Sequence, residues 1–288
     1  MPELPEVETV ARQLAPVLVG RKARCLRVFD RKLAAAERPD LRGAAVRAVV
    51  RTGKRVLIEF GPSDGNVGPA WLAVHLRMSG RLFWEPGATV AAPRAHERAA
   101  LDLDGGAVRL VDPRRFGTLT WLGSKDEGAE SGIDPMTPAF TPASLAALLD
   151  GSRQKMKAWL LRQDRLVGLG NIYASEILFR ARISPFKAAG RLDTGAIGRL
   201  HEATVSILGR AIEHCGTTFS DFQDAHGTTG GFQQFLQVYG RAGEPCPRCG
   251  RSIRRVVQQQ RSTYYCAPCT RPHRGAATKK EEAGTVRP

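Results

Sequence analysis

CPRCGRSIRRVVQQQRSTYYCAPC, residues 246–269, carries two Cys-x2-Cys pairs, Cys246/Cys249 and Cys266/Cys269, separated by sixteen residues. This is the ligand spacing of a four-thiolate zinc ribbon, with each pair on a tight turn. The stretch between the pairs, Ile253 to Tyr265, is expected to form a β-hairpin. Four thiolates leave no coordination position open, so one structural Zn2+ would fold the hairpin and do no chemistry. Function must then lie in what the hairpin presents. Between Arg241 and Arg274 eight arginines face the single Glu244, a basic surface suited to phosphates.

The rest of the chain agrees with that reading. Its net charge is +15 with a pI near 10.2, which suggests a polyanionic partner. A membrane role would need an apolar run of about 18 residues or a basic amphipathic anchor, and neither is found. No basic segment followed by an apolar stretch marks a secretory signal, so the protein is expected in the cytoplasm. Its six cysteines are then thiols or metal ligands and not disulfides. Cys25 and Cys215, outside the ribbon, are expected as small buried apolar residues.

At 288 residues there is room for more than one core. Val7, Val10, Ala11, Leu14, Val17 and Leu18 recur at helical spacing, with Pro5 and three glutamates suiting a helix N-terminus. From about Ala23 to Leu122 the pattern is short and strand-like: 55–60, 71–76, 99–103 and 107–111 are separated by Gly, Pro and Asp, as in a β-sandwich or barrel. Gly123 to Pro142 reads as a linker. Helices are expected over 144–149, 155–163, 172–180 and 197–214, so the second half is mainly α. A polar tail begins near Gly275 and is expected to be disordered. The resulting division is 1–131, 132–240, 241–274 for the cysteine hairpin, and a 275–288 tail.

The chain opens Met1-Pro2-Glu3-Leu4-Pro5-Glu6-Val7-Glu8. Removal of Met1 would leave a secondary amine beside a carboxylate. Such an amine forms an iminium with no N–H proton to lose, which stays cationic and withdraws electrons from its substrate. A free α-amino group titrates at about 7.7–8.0, so a useful fraction is neutral at cellular pH.

Taken with this opening and the ribbon, further motifs make the chain resemble the formamidopyrimidine-DNA glycosylases. These are bacterial enzymes that remove oxidised purines such as 8-oxoguanine and then cut the strand. The resemblance spans Gly53-Lys54-Arg55, His75-Leu76-Arg77-Met78-Ser79-Gly80, Asp112-Pro113-Arg114-Arg115-Phe116-Gly117, the Gly168–Glu176 segment, Val238-Tyr239-Gly240-Arg241 and Gln260-Arg261. It implies an α+β multidomain fold: an N-terminal β-sandwich carrying the first helix, a helix–two-turns–helix domain and a zinc hairpin, with damaged double-stranded DNA crossing between them. A monomer is expected.

By this resemblance Pro2 attacks C1′ to give a Schiff base, and Glu3 is its acid/base partner. Glu6 orients rather than reacts. Lys54 assists β-elimination and Arg261 δ-elimination, the arginine by electrostatic stabilisation because it stays protonated. Met78, Arg114 and Phe116 match the residues that fill the hole left by the extruded base. Arg115, Lys157, Asn171, His96 and Arg153 are expected backbone contacts, and Gly168 to Asn171 a phosphate site at a helix N-terminus. Gly216 to Phe232 is where the family keeps a mobile loop over the base. Ser79, which follows the plug Met78, and Phe235 depart from residues common in relatives and bear on lesion preference. The related endonuclease VIII group, specific for oxidised pyrimidines, opens Pro-Glu-Gly-Pro-Glu, and Leu4 speaks against it. A non-catalytic lesion-binding protein would have little reason to keep Pro2, Glu3, Lys54 and Arg261 together.

Overall fold

The computed structural model describes residues 1–33, 39–61, 70–87, 93–217, 224–225 and 227–270; the tail expected over 275–288 and part of the 216–232 loop lie outside them. Two antiparallel four-stranded sheets form the N-terminal unit. One runs in the order β1 (Ala23–Val28), β6 (Glu97–Leu103), β7 (Gly106–Val111), β5 (Arg81–Pro86). The other runs β2 (Val46–Thr52), β3 (Arg55–Phe60), β4 (Ala70–His75), β8 (Thr118–Leu122). Val56, Ile58 and Phe60 alternate into the core with Leu72, Val74, Leu101, Val108 and Leu110, while Leu57 joins Trp71, Ala73 and Leu122 on the opposite face. The chain is therefore a sandwich at this end, as its strand spacing suggests.

The first helix, α1 (Leu4–Leu18), is where the two halves of the molecule meet. Val7, Val10, Ala11, Leu14 and Leu18 belong to the sandwich core, whereas Leu4 is fully buried in the core of the helical unit. Burial of one such leucine stabilises by about 1.5–3 kcal/mol, and here it fixes the residue beside the chemistry. Helix α1 starts three residues earlier than its apolar period indicates, because Glu3 caps it and Pro5 fits its first turn.

The helical unit comprises α2 (Pro142–Leu149), α3 (Met156–Leu160), α4 (Asn171–Arg180) and α5 (Thr194–Glu213). Helix α3 is shorter than the expected 155–163 span: the backbone turns after Leu160 through bonds such as Arg165 N to Arg162 O (3.2 Å), leading to the Gly168 bend. The cysteine hairpin pairs β9 (Arg254–Gln258) with β10 (Arg261–Tyr265). It docks on α4 through Phe179, Val238, Cys246, Ile253 and Cys266. Cys25 differs from expectation: it is exposed on β1 with its thiol 3.3 Å from Asp102 Oδ2, and Cys215 is only part-buried. A register irregularity between the buried Ala23 and Cys25 turns Cys25 outward while Leu26 and Val28 face the core, which composition alone does not reveal. Among the described residues no helix is long and apolar enough to cross a membrane.

Candidate active site

Glu3 is 2 % exposed at the junction of the two units. Its Oε2 accepts from Gly170 N (2.8 Å) and Tyr173 N (3.4 Å), and its Oε1 from Ile172 N (3.0 Å). Gly170 caps α4, so the carboxylate occupies the orphan N–H groups at that helix terminus. The Gly-x-Gly motif is thereby explained differently from a phosphate cradle. A Cβ on Gly170 would lie 2.3 Å from Glu3 Cδ, and one on Gly168, whose φ is +88°, 2.7 Å from a Leu4 methyl. The glycines admit the N-terminus; of the N–H groups expected for phosphate, that of Gly170 is taken up by Glu3 and that of Gly168 by Gln163 Oε1 at 2.9 Å.

Burial raises the Glu3 carboxyl to about 7; Lys54 opposes the rise, Glu6 adds to it, and the helix donors lower it. At neutral pH the group thus both gives and takes protons. Glu6 is a holder and not a reactant: its carboxylate accepts from Glu3 N (2.8 Å), Tyr173 OH (2.6 Å) and Thr217 N (2.7 Å).

Lys54 occupies a two-residue hairpin turn between Thr52 and Arg55, with Gly53 at φ +58° ahead of it, and so projects from the end of the sheet. Its Nζ donates to Leu169 O at 2.7 Å, and burial lowers its pKa against the pull of Glu3. His75, opposite Arg55 in the β3–β4 register, is a residue for which sequence reading assigned no role. Burial, then Arg77, Lys54 and Arg55, lower it to about 4, and its Nδ1 accepts from Arg77 N (3.0 Å). It is therefore a neutral donor through Nε2. Its position directly before Leu-Arg-Met was the available signal.

Arg261 faces Glu3 across a cleft of about 330 Å³ that is also lined by Met1, Met78, Asn171, Tyr239 and Tyr264. Met1 lies on this wall, so its removal would bring the Pro2 nitrogen to the cleft. Tyr239, likewise unassigned from sequence, stacks edge-on with Tyr264 at 5.0 Å. The turn that presents Arg261 holds Gln259 and Gln260 at φ +47° and +59°, a conformation that favours glycine. Two side chains fasten the strand beyond it. Asn171 Nδ2 donates to Ser262 O (3.0 Å), and Lys157 Nζ to Ser262 O and Thr263 Oγ1, both at 2.8 Å. Lys157 is 1 % exposed and lowered to about 8, chiefly by burial. Its ammonium is occupied by the hairpin and not directed at the cleft.

The four sulfurs of Cys246, Cys249, Cys266 and Cys269 lie within 4.8 Å of one another, with Cys249–Cys266 at 3.4 Å and Cys246–Cys269 at 3.9 Å. A tetrahedral zinc with Zn–S near 2.3 Å requires S···S separations of about 3.8 Å, so the set fits one structural Zn2+.

Met78 on the cleft lining and Phe116 on the β7–β8 loop are 41 % and 50 % exposed, and the Arg114 guanidinium lies 4.9 Å from the Phe116 ring. Arg115 is paired twice with the buried Asp30, at 2.6 and 2.7 Å. His96, exposed and at φ +63°, sits under the same loop, its carbonyl accepting from Asp112 N. Arg153 is exposed on the α2–α3 connection and does not line the cleft.

A buried carboxylate and a lysine close to Pro2, facing a basic zinc hairpin, make the kind of site a DNA glycosylase uses. Residues 1–119 match the formamidopyrimidine-DNA glycosylase N-terminal domain, 131–223 that family's helix–two-turns–helix (H2TH) domain, and 243–271 the zinc finger found in FPG and IleRS. The chain belongs to the formamidopyrimidine-DNA glycosylase family. It is 42% identical to the formamidopyrimidine-DNA glycosylase of Symbiobacterium thermophilum, over 98% of this chain and 93% of that one. The Fpg protein of Thermus thermophilus superposes with a TM-score of 0.81 at 38% identity, covering 93% of this chain and 98% of that one. A Lactococcus lactis Fpg mutant bound to Fapy-dG-containing DNA superposes at 0.83 with 32% identity, covering 93% and 99%.

Proposed function

We propose that this base-excision repair glycosylase removes oxidised purines from duplex DNA and then cleaves the strand through a Pro2 Schiff base. The observation that carries the reading is Glu3, buried on the α4 N-terminus with a pKa near 7 and Lys54 alongside. Pro2 precedes the buried Glu3, and once Met1 is removed the lone pair of its unprotonated secondary amine attacks C1′. The C1′–N bond to the damaged base breaks as the C1′–N bond to Pro2 forms, and the proton that the Pro2 nitrogen gives up goes to the departing base. Glu3 protonates the ring oxygen of the opening sugar. The cationic iminium then acidifies the C2′ proton, and its loss expels the 3′ phosphate, followed by the 5′ phosphate in the second elimination.

Lys54 and Arg261 offset the developing phosphate charge, Asn171 and Tyr239 add donors on the cleft wall, and His75 adds one near Lys54. Met78, Arg114 and Phe116 occupy the space of the extruded base, and Arg115, with His96 and Arg153, contacts the backbone. Lys157 serves the same strand indirectly, through the hairpin. The protein acts as a monomer in the cytoplasm on damaged duplex DNA.

Borohydride trapping on a duplex with 8-oxoguanine opposite cytosine tests the reading. A covalent adduct mapped to Pro2 on the damaged strand, absent on undamaged duplex and lost in Pro2→Gly with duplex binding retained, is the expected result. Full activity in Pro2→Gly would overturn it.

A further inference from the structure

Ser79 and Asp112 stand out as a buried polar pair beneath two exposed apolar side chains. Ser79 is 3 % exposed and Asp112 1 %, while Met78, next to the first, and Phe116, four residues beyond the second, project outward. They lie on different loops. Ser79 belongs to the turn after β4, closed by Gly80 N to Leu76 O at 2.9 Å, and Asp112 to the loop between β7 and β8. Each loop holds a non-glycine residue in the left-handed region, Arg77 at φ +54° and Arg115 at +59°. Neither conformation is favourable for a free loop, so both need external support.

The Asp112 carboxylate supplies that support. Its Oδ1 accepts from Ser79 Oγ at 2.5 Å and from Arg114 N at 3.2 Å. Its Oδ2 accepts from Phe116 N at 2.8 Å and Gly117 N at 2.7 Å. Ser79 Oγ also accepts from Arg114 N at 3.3 Å, so one hydroxyl touches both the carboxylate and the backbone that carries Arg114. These donors hold the carboxyl below its usual range even though burial alone would raise it. From below, Arg98 Nε donates to Asp112 O at 2.8 Å and His96 O accepts from Asp112 N at 2.9 Å, which fixes the loop's root to β6.

We propose that the Ser79–Asp112 bridge joins the Met78 turn and the Arg114–Phe116 loop into a single unit, so that both enter the duplex together and the fit of Arg114 to the opposite base is set by Ser79. The inference rests on the glycosylase reading above. Ser79 and Asp112 are positioning residues; neither reaches the reacting atoms. Without the hydroxyl, the plug and the wedge are fixed separately. Insertion then requires two ordering events where one served, and the backbone of Arg114 is held by one acceptor in place of two.

The test uses the full-length protein with Ser79→Ala, Ser79→Thr, Met78→Ala and the Met78→Ala/Ser79→Ala double variant. Single-turnover base release is measured on 8-oxoguanine opposite cytosine and opposite adenine, together with borohydride trapping on a duplex that already contains an abasic site. Ser79→Ala is expected to slow base release opposite cytosine about tenfold, to narrow the cytosine-over-adenine preference, and to change abasic trapping less than twofold. Ser79→Thr, which keeps the hydroxyl, restores release to within about twofold. In the Met78→Ala background, Ser79→Ala is expected to slow release less than it does in the wild type, because the bridge no longer has a plug to place, while still narrowing the cytosine-over-adenine preference through Arg114. Equal losses on lesion and abasic duplexes, an unchanged opposite-base ratio, or additive effects on the rate of base release in the double variant would overturn the proposal. Absence of wild-type adduct on every lesion would instead strike at the glycosylase reading itself.

Discussion

Gly170→Ala is predicted to disable the active site without replacing a reacting group. The backbone tolerates the change, since Gly170 sits at φ −135°, ψ −161°, an extended conformation open to any residue. The space does not: the new Cβ would stand 2.3 Å from Glu3 Cδ and 2.4 Å from Oε1. Ordinary carbon contacts lie near 3.5–4.0 Å, so the carboxylate must retreat by about 1 Å or more. It cannot do so freely, because Gly170 N and Ile172 N hold it at 2.8 and 3.0 Å. Loss of one such charge-assisted bond costs about 1.5–3 kcal/mol, of which the reduced backbone entropy of Ala returns about 0.4–1. The expected outcome is a melting temperature lower by a few degrees and, because a 1 Å misplacement of a reacting group can cost about 10²-fold, base release slowed by about that factor. Single-turnover kinetics on 8-oxoguanine duplex, with differential scanning calorimetry, measure both. Gly209→Ala in α5, where nothing lies within 4 Å of the added methyl, is the control and should retain full activity. Gly170→Ala with activity within threefold of wild type would refute the claim that the glycine exists to admit Glu3.

Because the folded Glu3 titrates near 7 against an ordinary value of 4.5, the native state binds the extra proton in that window, and wild-type stability should fall as pH rises from about 4.5 to 7. Glu3→Gln has no such group, so urea unfolding across that range should show a shallower slope; identical slopes would exclude the raised carboxyl. Lys157→Met should keep its zinc, as metal analysis can show, yet slow strand cleavage about tenfold by releasing the Arg261 strand. Combined with Arg261→Ala it should cost less than the product of the single effects, whereas additivity would separate the two residues. A strong chelator should abolish trapping while circular dichroism retains most of its signal, because the two large cores contain none of the four cysteines. Loss of the whole fold with the metal would contradict that independence.

Much of the chemistry was legible in sequence because its signals are local. The cysteine spacing defines its own metal, a proline at position 2 defines its own amine, and the helical and strand periods of 7–18 and 55–60 need only neighbouring residues to be read. Other features depend on groups far apart in the chain. Gly168 and Gly170 read as a phosphate loop, but Glu3, 167 positions from Gly170, takes the Gly170 donor and Gln163 takes that of Gly168. Lys157 reads as a phosphate ligand until Ser262 and Thr263, over a hundred positions distant, are seen to occupy its ammonium. Cys25 reads as core until strand register turns it outward. His75 and Tyr239 acquire roles only where folding brings the first near Lys54 and the second to the cleft. Sequence by itself determined which reactive groups the protein owns. The tertiary structure decided which of them are desolvated, which are already paired, and which remain free to meet DNA, since burial and hydrogen-bond partners are properties of the packed chain and not of any segment of it.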